Sequence, residues 1–173
     1  MPDEMRRLIA AAGAIGRNGH RDSTLVLTMY RHALRVGEAV LLEWGQVDFG
    51  SGTLHVYRKK GGKPAAHPIE GDELRALRRL RTEQEGEARW VFMSERGAPI
   101  TERTAAHIVA RAGDEAGLEN VHPHMLRHSA GYYLANKGCD TRLIQDYLGH
   151  KEIRHTVRYT ELSPRRFRGL WRE

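Results

Sequence analysis

Residues 122–160, HPHMLRHSAGYYLANKGCDTRLIQDYLGHKEIRHTVRYT, decide how this chain is read. Pro123 suits the first turn of a helix, where its missing N–H costs nothing, and Gly138 suits its end. Asp140 is placed to cap a second, compact helix. That helix has Leu143, Ile144, Tyr147 and Leu148 as its apolar face, and Gly149 stops it. Residues 152–160 predict a third short helix and 164–171 a weaker fourth.

Upstream, residues 3–16 predict an Ala-rich helix. Residues 22–34 are apolar on most sides, the mark of a buried helix. A short helix is expected at 37–43. The period then changes: residues 47–58 contain a turn and the alternating stretch Leu54–His55–Val56–Tyr57, a strand signal. Residues 59–63 (KKGGK) read as a hairpin turn. Residues 64–69 return as a strand confined to an edge by Pro64 and Pro68. Asp72 is placed to cap a helix striped by Leu74, Leu77 and Leu80. A short strand is expected at 91–93. Thr101 is placed to cap a helix to Ala116 with Ile108, Val109 and Ala112 inward. The fold class is mainly α with a small antiparallel β-sheet inserted early (α+β), and no repeat is visible.

The chain has 173 residues, enough for one domain with a real core. One cysteine, Cys139, leaves no disulfide within the chain and no Cys-based zinc cluster. No apolar run reaches membrane-spanning length, which predicts a cytoplasmic protein. Lys+Arg 28 against Asp+Glu 22 gives a net charge of +6. Residues 122–173 carry 10 basic and 5 acidic groups, so the last third is the expected polyanion face.

Residues His124, Arg127 and His128 fall at i, i+3 and i+4 and share a helix face. Leu126, Ala130, Tyr133 and Leu134 are expected to face the core. A His–Arg–His face suits phosphate, because guanidinium offers a planar donor fork and imidazole exchanges a proton near neutrality. A solvated basic face is the plainer reading of that segment alone. His150 follows a helix cap, and Tyr159 is a potential nucleophile that needs cations or a base to help it attack. Arg35, flanked by apolar residues, calls for a partner, and Glu38 is the candidate. HExxH and phosphate-loop spacings are absent, so neither a metal nor a nucleotide site is predicted.

In order, these pieces are Leu34-Arg35-Val36-Gly37-Glu38, a hairpin lysine, His124-x-x-Arg127-His128, Leu148-Gly149-His150 and Tyr159-Thr160. Arg127 and His150 are 23 residues apart, and His150 and Tyr159 nine. The whole chain resembles the catalytic domain of the tyrosine recombinase (phage integrase) family. Residues 122–171 are most similar to the fimbrial phase-variation recombinases.

The resemblance implies one catalytic domain over 1–173 without the N-terminal DNA-clamping domain the family usually carries. It makes Tyr159 the nucleophile of a 3′-phosphotyrosyl intermediate. Arg35 and Arg127 would hold the phosphate oxygens, Lys60 would protonate the leaving 5′-oxygen, and His124 would exchange a proton near the nucleophile. His150 would bond the phosphate, and Glu38 would orient Arg35 from behind. Hairpin registers slide, so Lys59 or Lys63 is an alternative to Lys60. DNA contacts are expected from Lys59, Lys63, His128, Arg154 and Arg158. The implied partners are double-stranded DNA, further copies of the chain (a tetramer on DNA) and DNA-bending accessory proteins, with no membrane and no metal or nucleotide cofactor. Phe167, Leu170 and Trp171 would close this core or a neighbour's.

Two rival readings use the same residues. In one, 140–160 is a helix-turn-helix of a non-enzymatic DNA-binding regulator, with Gly149 at the turn and Arg154, Thr156 and Arg158 on the recognition helix. In the other, the chain is a recombinase that binds DNA without cutting it.

Overall fold

Helix α2 (Gly19–Arg31) is the post around which the chain is built: Leu25, Val26 and Met29 are wholly buried, and α1 (Asp3–Ala14), α4 (Gly71–Glu83) and α6 (Pro123–Asn136) pack on it. The structure, a computed structural model, describes residues 1–58, 64–84 and 88–161. The expected hairpin turn with Lys59, Lys60 and Lys63, the expected helix over 164–171, and Phe167, Leu170 and Trp171 lie outside those residues.

After α2 the chain turns at Ala33, whose φ of 49° is a conformation that a residue with a Cβ rarely adopts. It then forms the four-residue α3 (Val36–Ala39). Strands β1 (Val47–Asp48), β2 (Thr53–Val56) and β3 (Ala65–Pro68) make one antiparallel sheet with β2 in the centre. Leu54 pairs with Val47 on one side and His67 on the other. Pro68 ends up on an edge strand, as proline's missing donor requires. Helix α5 (Glu102–Glu115) starts at Thr101, whose hydroxyl accepts from the Thr104 N–H. Helices α7 (Thr141–Leu148) and α8 (Arg154–Glu161) pack on each other and on α6. Asp140 caps α7 by accepting from the N–H groups of Arg142 and Leu143, and Gly149 ends it at φ 65°.

Four expectations need correction. Asp72 does not cap α4. Glu70 stands at that position, and Asp72 is drawn to Arg31 by two hydrogen bonds of 2.5 and 2.8 Å. Residues 91–93 form no strand, only an isolated bridge from Met93 to Pro99 beside one from Glu43 to Trp90. Leu143 is 53 % exposed. The buried arc of α7 is Ile144, Gln145 and Leu148, because the Gln145 amide turns inward to the His150 and Lys151 carbonyls. On α6, Leu126 and Ala130 are buried as expected, but Arg127, Gly131 and Ala135 join them while Tyr133 and Leu134 are only half-buried. Contacts from α2, α7 and α8 on several sides of α6 move its buried arc.

Arg58 fastens the middle of the structure. Its side chain is fully buried, and its Nη1 bonds Glu38 Oε2 (3.0 Å) and the Ala33 carbonyl (3.2 Å). Its Nη2 bonds the carbonyls of His32 (3.1 Å) and Tyr147 (2.6 Å). The end of α2, the α3 helix and the end of α7 are thus joined through one side chain. Gly149 has to be glycine beside it, since a Cβ there would stand 2.7 Å from Arg58 Cγ. A second buried cluster lies behind. His32 Nε2 is 3.1 Å from Glu73 Oε1, and His67 stacks on the Tyr147 ring at 3.9 Å.

Two outcomes are expected from these buried groups. Arg58→Met leaves Glu38 buried without that cation and the His32 and Tyr147 carbonyls without that donor. It should cost about 3–5 kcal/mol, the usual penalty for breaking a buried pair, read as a fall in urea midpoint. Burial, with the nearby His32 and Arg58, lowers the His67 pKa to about 3. The folded state therefore refuses a proton that the unfolded chain accepts below about pH 6.5. Stability from His67 is complete above that pH and drains by up to ~1.4 kcal/mol per pH unit as acid is added, down to about pH 3. His67→Asn should flatten the decline between pH 6 and 5 in denaturant titrations.

Candidate active site

A cleft of about 370 Å³ opens where α3, α6, α7 and α8 meet. Arg35, His124, Arg127, His128, His150, Arg158 and Tyr159 all line it. Of the residues expected to act together, Arg35, His124, Arg127, His150 and Tyr159 converge here from four separate elements.

Each side chain is held for a local reason. Arg35 occupies the N-cap of α3, and the Glu38 carboxylate, one turn on, accepts from both its backbone N–H (2.9 Å) and its Nη1 (2.8 Å). Burial alone would push the Glu38 carboxyl up. The Arg35 N–H, the charge of Arg58 and the bonds from both guanidinium groups outweigh it and hold the pKa below the ordinary carboxylate range. The expected orienting role of Glu38 toward Arg35 therefore has its geometry, with Arg58 fixing Glu38 from the other side.

Arg127 is 2 % exposed. Its Nη1 donates to the Ala33 carbonyl at 2.5 Å and its Nη2 to the Leu148 carbonyl at 2.6 Å. Burial, then the charges of Arg58 and Arg35, bring its pKa down to about 9, so it is still a cation at neutral pH. A guanidinium fixed this way is available to an anion without reorganising.

His150 follows the left-handed Gly149. Its N–H donates to the Gln145 carbonyl and its own carbonyl accepts from the Gln145 amide. Its Nδ1 is 2.8 Å from Thr156 Oγ1. Burial, then Arg127 and Arg35, lower its pKa to about 3, so the ring is neutral at neutral pH. A Thr156 hydroxyl donating to Nδ1 would leave the ring proton on Nε2 as a donor.

Tyr159 is 1 % exposed. Tyr132 meets its ring edge-on at 4.9 Å, and the Arg158 guanidinium lies 5.6 Å from the ring centre. Gly131 makes room for it: a Cβ there would stand 2.9 Å from the ring. Its hydroxyl bonds His128 Nδ1 at 2.6 Å. Burial raises the Tyr159 pKa against the lowering charges of Arg158 and Arg127.

The sites named from sequence separate accordingly. His128, expected among DNA contacts, is found on the Tyr159 hydroxyl. Arg158 lies exposed at the cleft, whereas Arg154 is ion-paired to Glu152 at 2.5 Å and is not among the cleft-lining residues. Thr156, assigned to a recognition helix in the regulator reading, is wholly buried against His150, which removes it from any DNA-reading face. Lys59, Lys60 and Lys63 lie outside the described residues. Arg58 was missed altogether. The signal for it was strand parity, since Leu54 and Val56 are buried and Arg58 continues their two-residue alternation.

Comparison with known proteins places the chain in a family. The Phage integrase family matches residues 1–166. The chain is 44 % identical over 165 residues to the type 1 fimbriae regulatory protein FimE of Escherichia coli K12, covering 90 % of this chain and 82 % of that one. Its fold superposes on the crystal structure of XerA recombinase with TM-score 0.81 and 29 % identity, over 95 % of this chain and 60 % of that one. It also superposes on XerH site-specific recombinase bound to a palindromic difH substrate, a post-cleavage complex, with TM-score 0.82 and 24 % identity, over 95 % and 49 %. The chain thus spans less than two thirds of either solved recombinase. With its arginines, histidines and tyrosine gathered in one cleft, this chain belongs to the phage integrase family, the tyrosine recombinases.

Proposed function

We propose that this chain is a site-specific recombinase that cuts and rejoins double-stranded DNA through Tyr159. One observation carries the reading: Tyr159 lines the same cleft of about 370 Å³ as two guanidinium groups and the neutral His150. In the proposed step, Tyr159 Oη attacks the scissile phosphorus and loses its proton to a neighbouring base. The bond from phosphorus to the 5′-oxygen breaks, and that oxygen takes a proton from a general acid, for which Lys60 is our assignment. A 3′-phosphotyrosyl link results. Attack by another strand's 5′-hydroxyl reverses the step and rejoins DNA. Phosphodiester is exchanged for phosphodiester, so bond energy is kept within the covalent link.

Arg35, Arg127 and His150 would bind the non-bridging oxygens, whose charge grows in the pentacoordinate transition state. Losing one such fixed donor costs roughly 10²–10³ in rate at comparable sites. The +6 net charge supplies general attraction to the DNA backbone. We further propose a tetramer on two DNA sites, inversion of the intervening segment as the outcome, DNA-bending accessory proteins, and action in the cytoplasm on the nucleoid. Among the described residues no helix is long and apolar enough to cross a membrane.

Incubating the protein with sheared genomic DNA from its source, then denaturing in detergent, tests the reading. Wild type should retain covalently linked DNA enriched in one sequence. Tyr159→Phe should bind DNA within about threefold of wild type yet form no adduct. An undiminished adduct would refute the nucleophile assignment, and no adduct from wild type would favour the regulator. Gly131→Ala should push the Tyr159 ring from its seat and reduce the adduct at least tenfold, with DNA binding kept, in a filter-binding comparison.

A further inference from the structure

We propose that His128 is the group that takes the proton from Tyr159 as the nucleophile attacks. This deepens the recombinase reading and rests on it. The resemblance gives proton exchange near the nucleophile to His124, but the structure places the two histidines differently. His128 Nδ1 is 2.6 Å from Tyr159 Oη, within the reach a proton acceptor needs. His124 is exposed one helical turn earlier, and its ring meets His128 edge-on at 4.3 Å.

The pair is rigid. Tyr132 and the bare Cα of Gly131 fix the tyrosine ring, and His128 sits on the same helix as both. A base held against its acid in this way loses little to misalignment.

Charge makes the transfer depend on substrate. Groups facing His128 are His122, His124 and Arg127 on its own side, Arg158 from α8, and the Tyr159 hydroxyl itself. Burial, then His124, Arg158 and Arg127, hold its pKa at about 4, so the imidazole is neutral and has a lone pair to offer. Burial also raises the Tyr159 pKa. At rest the proton therefore stays on oxygen. A phosphodiester settling between Arg35, Arg127 and His150 brings a negative charge that offsets the arginines and raises the affinity of His128 for a proton. Transfer to Nδ1 then accompanies bond formation between Oη and phosphorus. The imidazolium left beside the phosphotyrosine is placed to return the proton to Oη when the link is reversed.

The test compares wild type, His128→Asn, His124→Asn and Tyr159→Phe on nicked duplexes built from the DNA captured by wild type. One duplex has oxygen and the other sulfur at the scissile 5′ bridge. Sulfur leaves as a thiolate without needing a proton, so it rescues loss of a general acid but not loss of the nucleophile's base. Asparagine keeps an acceptor near the Nδ1 position but cannot take a proton, and it separates basicity from positioning; His128→Ala serves if that contact distorts the fold.

His128→Asn should cleave about 10²–10⁴-fold more slowly on both duplexes, the usual range for a general base. Its rate should climb about tenfold per pH unit where wild type is flat, because hydroxide replaces the missing base. Melting temperature and DNA affinity should match wild type. Cleavage by His128→Asn within threefold of wild type overturns the proposal. So does rescue by sulfur, which would place His128 on the leaving group, or an unrescued loss confined to His124→Asn. Wild type forming no adduct overturns the recombinase reading as a whole, which keeps the two failures apart.

Discussion

The carbonyl oxygen of Ala33 accepts from two buried arginines, Arg58 at 3.2 Å and Arg127 at 2.5 Å, and the cleft is arranged around that shared acceptor. Two cations so close repel, and the charge of Arg58 lowers the hold of Arg127 on its proton. The arrangement stands because Glu38 supplies a counter-charge and because backbone carbonyls from α2, α7 and the turn at Ala33 aim their dipoles at the guanidinium groups. The positive φ of Ala33 turns its carbonyl to this use, a local strain held by the bonds it permits. Arg127 is in this way part of the core and part of the site at once. Its burial explains both its fixed direction and its cost.

Around that centre the remaining groups are placed by packing. Gly149 allows Arg58 to pass and, in the same left-handed turn, sends His150 toward the cleft. Gly131 allows the Tyr159 ring to lie against α6 with its hydroxyl on His128. Both glycines trade a side chain for a close approach, one to the Arg58 guanidinium arm and one to the Tyr159 ring. His128 and His150 are kept neutral by burial and neighbouring cations. They act as directional donors and acceptors, while the arginines supply the charge.

The local rules were legible where a single residue enforces them. Asp140 and Thr101 cap their helices, Gly149 ends α7, and the proline-flanked β3 lies at an edge. The failures share a cause. Asp72 was expected to cap, but Arg31, 41 residues earlier in the chain, bound it instead. Leu143 was expected inside, but Gln145 was drawn in by carbonyls beyond the end of α7. In each case a polar partner supplied by folding outcompeted the local preference.

By itself, the sequence determined the class of fold, the ends of most helices and the grouping of Arg35, His124, Arg127, His150 and Tyr159, because caps, periodicity and motif order act over a few residues and survive without context. The pairing of Glu38 with Arg35 was also within its reach, being three residues apart. Tertiary structure alone decided that Arg58 and Arg127 share one carbonyl, that Arg127 is buried, and that His128 holds the Tyr159 hydroxyl. Those outcomes join residues up to 94 apart in the chain. They depend on which dipoles and charges packing brings within about 3 Å, a distance no spacing rule can report.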